Sequence, residues 1–337
     1  MVTVNSTKIA GFAGRKVAII GDLVADQFLN GTISRVSREA PVFILRHDET
    51  ETRAGGAANA AVNIAALGGT CMLVGLVGTD ATGDELRSIL AAAKVDGSGV
   101  LVDERFKTTT KVRVLAGQHY AARQQVIRID YENNAEIGCD VRQQLLRNLA
   151  AAARVADAIV LSDYSYGVVD QELFEAANAI AKERKIPLLV DSRFALRSFA
   201  GATAATPNQD EVEQILGENF RDEDCARLRD DLGYDALLVT CGNQGMRLYE
   251  KNASPVALSA VGSKEPVDVT GAGDTVIAAY ALGLAAGLSH AESAAIANHA
   301  GSIVVMKKGT ATVSAVELGG SLNSNTDIAE HAAVDRS

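Results

Sequence analysis

Short apolar runs recur along the chain, spaced far enough apart to fit a helix between them. Lys16-Val-Ala-Ile-Ile20 is the first and is closed by Gly21-Asp22; residues 72–77, 158–161, 187–190 and 236–239 follow. Runs this short and this apolar predict strands buried on both faces. Between them, residues 57–67, 83–93, 141–155, 172–182 and 224–232 place apolar side chains at the spacing of one helix face. Residues 272–286 and 291–305 predict two more helices. Strands alternating with helices imply parallel crossover units. The expected fold is therefore α/β, with a central, mostly parallel sheet covered by helices on both faces.

One stretch breaks this rhythm. Residues 28–53 lack a helical period but hold the apolar run 42–45, and residues 111–115 and 126–129 read as short strands around the polar segment 116–125. These pieces, from about 28–53 and 111–129, predict a small antiparallel sheet beside the main one. It acts either as a lid over a cleft or as a hairpin at the sheet edge. Residues 1–15 read as a loose arm, and 319–337, rich in Gly, Ser and Asn, as a flexible tail. A single domain over 16–318 is expected.

Composition narrows the class. The 337 residues are 47% hydrophobic and 22% charged, enough for a large core, while aromatics are 4% and Trp is absent. The net charge of −10, with no basic run, argues against a nucleic-acid or membrane-surface binder. Cys71, Cys139, Cys225 and Cys241 form no C-x-x-C pair and the five histidines are scattered, so free thiols and no zinc site are expected. No stretch resembles a signal peptide or a membrane span, and the expected location is the cytoplasm.

The most informative segment is Asp268-Val-Thr-Gly-Ala-Gly-Asp-Thr275, which runs into an Ala-rich helix. Small residues at a helix start leave backbone N–H groups unhindered, and with the helix dipole they make an anion site. Asp274, in the first turn beside that site, is placed to accept a proton from an incoming hydroxyl. A glycine turn with an acidic first-turn residue is the plainer alternative. The segment lacks the third glycine of a dinucleotide fingerprint, and no G-x-x-x-x-G-K-[ST] occurs. A second glycine-rich segment, Gly55-Gly-Ala-Ala-Asn59, again leads into a predicted helix, and Gly68-Gly69 and Gly75-Leu-Val-Gly78-Thr-Asp80 follow.

Together these segments resemble the two signature regions of the ribokinase (phosphofructokinase-B) family of sugar kinases, over roughly 17–318. The resemblance implies a ribokinase-like fold with a β lid and transfer of phosphate from ATP with Mg2+. It implies Asp274 as base, with the N–H groups of Gly271, Ala272 and Gly273 around the transferred phosphate. It puts Asp22, Asp26, Gly55, Gly56 and Asn59 on the sugar. On the nucleotide side it implies Asn208 and Glu211, the latter reaching magnesium through water, and Thr240, Gly242, Gly245 and Asn298. Asp268 and Thr270 match positions beside a monovalent cation, K+, in some members. A homodimer formed through the lid strands is implied as well.

Within the family, Gly21-Asp-Leu-Val-Ala-Asp26, Ser34-Arg-Val-Ser-Arg-Glu-Ala-Pro41, Thr110-Lys-Val-Arg113, Ile127-Arg-Ile-Asp130 and Leu161-Ser-Asp-Tyr164 resemble the kinase domain that phosphorylates D-glycero-D-manno-heptose 7-phosphate. The implied product is the 1,7-bisphosphate, a precursor of ADP-heptose. A substrate already carrying phosphate needs cations, for which Arg113, Arg128 and Arg193 stand ready, with Asp163 beside the sugar. Relatives carry a lysine where this chain has Tyr166, and Asp-Pro-Lys where it has Asp191-Ser-Arg193. Arg193 keeps the charge and Tyr166 does not. The H-x-G-H signature of the nucleotidylyltransferase domain in bifunctional relatives does not occur. A kinase for another sugar, sugar phosphate or nucleoside is the alternative within the class, and an inactive sugar- or nucleotide-binding module the alternative outside it.

Overall fold

Apolar side chains that alternate along a strand must be buried twice, once on each face, and the architecture follows from that requirement. The computed structural model describes residues 4–118, 123–133, 136–263 and 265–334. Residues 1–3, 119–122 and 335–337, which belong to the expected arm, lid and tail, lie outside that set.

The first elements in chain order are β1 (Lys16–Gly21), β2 (Leu23–Val36), β3 (Phe43–Gly56), α1 (Ala57–Ala66), β4 (Thr70–Gly78), α2 (Ala81–Ala92) and β5 (Asp96–Asp103). Then come β6 (Thr110–Gly117), β7 (Gln124–Tyr131), α3 (Cys139–Ala153), β8 (Ala158–Asp163), α4 (Gln171–Arg184), β9 (Leu188–Ser192) and β10 (Ala204–Ala205). The last are α5 (Gln209–Leu216), α6 (Asp222–Leu232), β11 (Ala236–Thr240), β12 (Met246–Glu250), β13 (Val256–Leu258), α7 (Ala272–Ala285), α8 (His290–Val304) and α9 (Ala315–Val334).

The main sheet has nine strands in the order β13-β12-β11-β10-β9-β8-β1-β4-β5. It is parallel from β11 to β5, and β12 and β13 extend it antiparallel. The alternation is visible in β1, where Val17 and Ile19 join one core and Ala18 and Ile20 the other. The first core packs against α1, α7 and α8 through Ile64, Ile277 and Ile296. The second packs against α3, α4 and α6 through Leu149, Leu173 and Leu228.

The second sheet, the lid, has the order β3-β2-β6-β7. It departs from the expected antiparallel sheet, because β2 and β6 pair in parallel, from Ala25 opposite Thr110 to Thr32 opposite Gly117. The chain between them passes through α1, β4, α2 and β5, the kind of long crossover that parallel pairing requires. The lid strands also start earlier than expected. The chain leaves the main sheet at Asp22, runs out along β2, returns along β3 and enters α1 at Gly56, with Leu23 opposite Gly56 and Val24 opposite Gly55. Asp22 and the double glycine therefore meet at the root of the lid.

Both ends differ from expectation. Before Arg15, a 3-10 turn over Lys8–Phe12 buries Phe12 completely, and Lys8 pairs with Glu292 at 3.0 Å. At the other end α9 continues through the segment expected as a tail, anchored by buried Leu318 and Leu322. No helix of the described residues is long and apolar enough to cross a membrane.

Candidate active site

The carboxyl ends of β1, β8, β9 and β11 and the first turn of α7 converge at the root of the lid, where ligands of open α/β sheets bind. Gly271 precedes α7 with φ of 76°, and a side chain there would put Cβ 2.5 Å from Asn59 Nδ2 and 2.7 Å from Thr310 Cγ2. Only glycine fits that backbone and that approach. Around Gly273 the space is open. Of the three N–H groups expected to cradle phosphate, that of Ala272 donates instead to the Val269 carbonyl at 3.2 Å.

Asp274 is 2% exposed and sits at the floor of this junction. Tyr164 Oη donates to its Oδ1 at 2.6 Å and Asn59 Nδ2 to its Oδ2 at 2.8 Å. Burial disfavours the charge and pushes the carboxyl up to about 7, although the two donors pull the other way. That places the group's proton equilibrium at the operating range of a general base. Asn59, expected on the sugar, is thus a brace for Asp274, and its amide also donates to the Gly271 carbonyl at 3.2 Å.

Asp22 likewise takes a different place from the one expected. One oxygen accepts the N–H of Tyr164 at 2.8 Å and of Tyr166 at 3.0 Å, and the other accepts the Val168 N–H at 3.0 Å. The side chain is buried, which raises its pKa to about 6 against the pull of these N–H groups. Asp22 holds the loop after β8 in shape rather than facing the cleft. Gly56 makes this possible: φ is +56°, and a Cβ would lie 2.7 Å from the Asp22 carbonyl oxygen.

Asp26 is buried between Arg113, whose guanidinium donates to Oδ1, and the Thr310 hydroxyl, which donates to Oδ2 at 2.8 Å. A side chain on Gly55 would meet that Oδ2 at 2.6 Å, so the second glycine serves the second aspartate. Arg113 and Arg53 each lie 5.5 Å from the centre of the Phe28 ring, and Arg53 Nη1 donates to the carbonyls of Lys308 at 2.6 Å and Thr310 at 3.1 Å. Phe28, Arg53 and Arg113 line a groove of about 1000 Å³ under the lid, along with Arg123, Asp268 and Lys308. Arg128 does not reach it. It stands opposite Arg113 on the edge strand β7 and binds Asp130 at 2.9 and 3.0 Å.

On the other side of α7 a cavity of about 360 Å³ is lined by Asp163, Tyr164, Asp191, Arg193, Asn208, Glu211 and the 271–273 turn. Asp163 is held by the Ser165 N–H at 2.8 Å and the Ser192 hydroxyl at 2.6 Å. Arg193, expected toward the sugar phosphate, faces this cavity instead of the lid groove. Asn208 and Glu211 cap α5 reciprocally at 2.9 Å in both directions, so the cap and the cavity wall are one structure. The adjoining cavity, about 170 Å³, is lined by Thr240, Gly242, Gly245, Gly273 and Asn298. Gly242 and Gly245 both have positive φ, and Asn298 is anchored by donating to the Ser259 carbonyl at 2.8 Å.

The match to known proteins now has a site to attach to. The description "pfkB family carbohydrate kinase" matches residues 15–317. The chain belongs to the pfkB family of carbohydrate kinases. It is a phosphotransferase acting on a sugar hydroxyl. This pfkB kinase is 40% identical over 317 residues to the bifunctional protein HldE of Haemophilus influenzae strain PittEE, covering 92% of this chain and 64% of the relative. The HldE protein of Gluconobacter oxydans is 39% identical, with 92% and 65% covered. The kinase therefore spans somewhat less than two thirds of the length of these curated relatives. The fold is shared with Arabidopsis thaliana ribokinase complexed with ribose and ATP (TM-score 0.69, 22% identity, 92% of this chain and 99% of that one). It is also shared with Escherichia coli phosphofructokinase-2 in complex with potassium (TM-score 0.74, 21% identity, 92% and 98%).

Several residues of the pfkB kinase's site were not singled out from sequence. Tyr164 and Asp191 sat inside quoted motifs without a role, whereas Arg53, Thr310 and Phe28 carried no local signal at all. Their importance comes from the lid folding back on the 308–310 segment. Asp191 is pushed well above the usual carboxylate range by burial and then by Glu211, Asp274 and Asp163. Asp268 accepts the N–H of Thr270 at 3.0 Å and of Gly309 at 2.9 Å. Those bonds outweigh its burial and hold it below the usual range.

Proposed function

We propose that this carbohydrate kinase uses ATP to phosphorylate D-glycero-D-manno-heptose 7-phosphate at its anomeric hydroxyl, giving the 1,7-bisphosphate. The observation that carries the reading is the place of Asp274. Its carboxylate is held by Tyr164 and Asn59 directly behind the 271–273 turn that walls the cavity at the start of α7, and Asp26, paired with Arg113 of the lid groove, is near enough to act on its charge. In this reading the sugar lies in the groove and the nucleotide in the cavities lined by Thr240, Gly242, Gly245 and Asn298. The acceptor hydroxyl gives its proton to Asp274, and its oxygen bonds to the γ-phosphorus as the bond to the β–γ bridging oxygen breaks. ADP leaves with that oxygen. The N–H groups of Gly271 and Gly273 and the α7 dipole stabilise charge on the transferred group.

Among the described residues no cluster of three or more His, Cys, Asp or Glu is arranged to hold a metal ion. Magnesium fits the site in another way. At the cavity wall Glu211 disfavours the charge on Asp191, a repulsion that a hydrated cation would relieve. Asn208 and Glu211 would hold it through water, and when bound it would neutralise charge on the phosphates. The Asp268 and Thr270 reading as a monovalent-cation site belongs to the same proposal: each Asp268 oxygen accepts one backbone N–H group and keeps a further acceptor position.

A different acceptor sugar is the second reading, and Tyr166 favours it. In place of a lysine, its hydroxyl is bound to Lys111 Nζ at 2.7 Å, and Lys111 is also spent on Asp130 at 3.1 Å. An assay coupled to ADP release over a panel of sugars and sugar phosphates decides between them. Heptose 7-phosphate is expected to give the highest kcat/KM; turnover with another sugar and none with this one would sink the assignment. We also propose a homodimer through the lid. Ile127, Ile129 and Tyr131 are 54%, 42% and 43% exposed on β7, on the face turned away from Arg128 and Asp130. Light scattering is expected to give twice the chain mass, and a monomer at micromolar concentration would refute it.

A further inference from the structure

The base is held from two sides, and one of the holders is a phenol. An ionised carboxylate offers about four acceptor positions on its two oxygens. Asn59 takes one at 2.8 Å and Tyr164 another at 2.6 Å, leaving room for the proton of an incoming alcohol. Asn59 gives one N–H of its amide to the carboxylate and the other to the Gly271 carbonyl, and it holds only Oδ2.

Tyr164 is itself unusually constrained. Its backbone N–H and that of Tyr166 are bound by Asp22, and a third bond from Val168 closes the loop. Its ring lies where a Cβ on Gly56 would come within 3.4 Å of Cδ2. The ring lines the cavity at the start of α7 while the hydroxyl turns inward to Asp274. With one backbone bond of its own to Asp22, two more holding the rest of its loop, and its ring beside Gly56, Tyr164 does not swing away to make room for substrate.

We propose that Tyr164 is a positioning residue for the base: its hydroxyl stays on Oδ1 through turnover and keeps the carboxylate aimed at the acceptor in its proton-accepting form. The inference rests on the reading of Asp274 as base. Tyr164 gives no proton away. Burial of its hydroxyl and then the neighbouring charge of Asp274 push its own ionisation well above the ordinary tyrosine range. The other charged groups facing this pair are Asp26 on β2, already matched by Arg113, and Asp191 on β9. Asp22, beneath the loop, is the remaining acid whose protonation would disturb Tyr164.

The test is the pH profile of kcat/KM for Tyr164→Phe, measured with the sugar that the wild-type enzyme turns over best. Loss of one donor to the carboxylate is expected to move the acidic limb upward by about one to two pH units. At pH 7 the rate then falls roughly tenfold and recovers toward the wild-type value on the alkaline side, with little change in KM. Incorporating 3-fluorotyrosine at position 164, which keeps the shape and strengthens the donor, is expected to move the limb the other way; this arm holds even if the phenylalanine variant folds poorly. A loss that is uniform across pH, or an unmoved limb in both proteins, overturns the inference. Asp274→Asn keeps the two readings apart. If it is active, the base assignment itself fails. If it is inactive while the Tyr164 limb does not move, only the positioning role fails.

Discussion

Asp274→Asn is expected to lower kcat by about 10²- to 10⁴-fold, the usual contribution of a general base, while binding of sugar and nucleotide largely survives. Asparagine preserves the volume and one acceptor for the Tyr164 hydroxyl, but it cannot take a proton. The sign of the pH dependence follows from the site. Burial raises the Asp274 carboxyl to about 7, so the fraction able to accept a proton grows as pH rises through that value. Wild-type kcat/KM is expected to climb between about pH 6 and 8 and the asparagine variant to lose that climb. Steady-state kinetics with calorimetric binding of ATP checks both. Unchanged turnover would remove Asp274 from the chemistry.

The second large effect concerns the pair beneath the lid. Arg113 and Asp26 side chains are only 11% and 6% exposed, and among the described residues no other cation contacts that carboxylate. Arg113→Met keeps most of the side chain's bulk but leaves Asp26 buried with only the Thr310 hydroxyl. Breaking a buried ion pair from one side costs about 3–5 kcal/mol, whereas removing both charges costs far less. The single variant is therefore expected to unfold at a clearly lower urea concentration, and its KM for a phosphorylated sugar to rise. Adding Asp26→Asn is expected to restore much of the stability but not the KM. Equal stability of the single and double variants would show that the buried pair does not hold the two lid strands together.

Parts of this were legible before any coordinates. The strands β1, β8, β9 and β11 have apolar runs on both faces, and a run of that kind has few other ways to be buried. The helices α1, α7 and α8 announced themselves by period, and their starts by glycine. What stayed hidden was set by tertiary contact. The segment that forms β5 contains Gly97, Gly99 and three polar residues, and it is a strand because β4 pairs with it at the sheet edge. The two-residue β10 has no pattern of its own and exists between β9 and β11. The parallel pairing of β2 with β6 joins residues 85 positions apart, which no local period encodes.

The site divides in the same way. Asp274 and its glycines could be read because a helix start makes an anion site from backbone alone. Asp22 and Asn59 were found as residues, but their bonds to the loop after β8 and to Asp274 were not. Whether a carboxylate faces a ligand or three N–H groups depends on where the loop after β8 passes, and Gly56 at the root of the lid makes room for that path. Arg128 was likewise right in type and wrong in reach, since the edge strand carries it away from the groove.

The measurement that bears most directly on the central claim is a crystal structure with the acceptor sugar and a non-hydrolysable ATP analogue bound together. The expected result is an acceptor hydroxyl within about 2.6–3.2 Å of the Asp274 carboxylate, in line with a γ-phosphate resting on the N–H groups of Gly271 and Gly273. A sugar bound with its reacting hydroxyl away from Asp274, or a γ-phosphate that avoids the start of α7, would contradict the account.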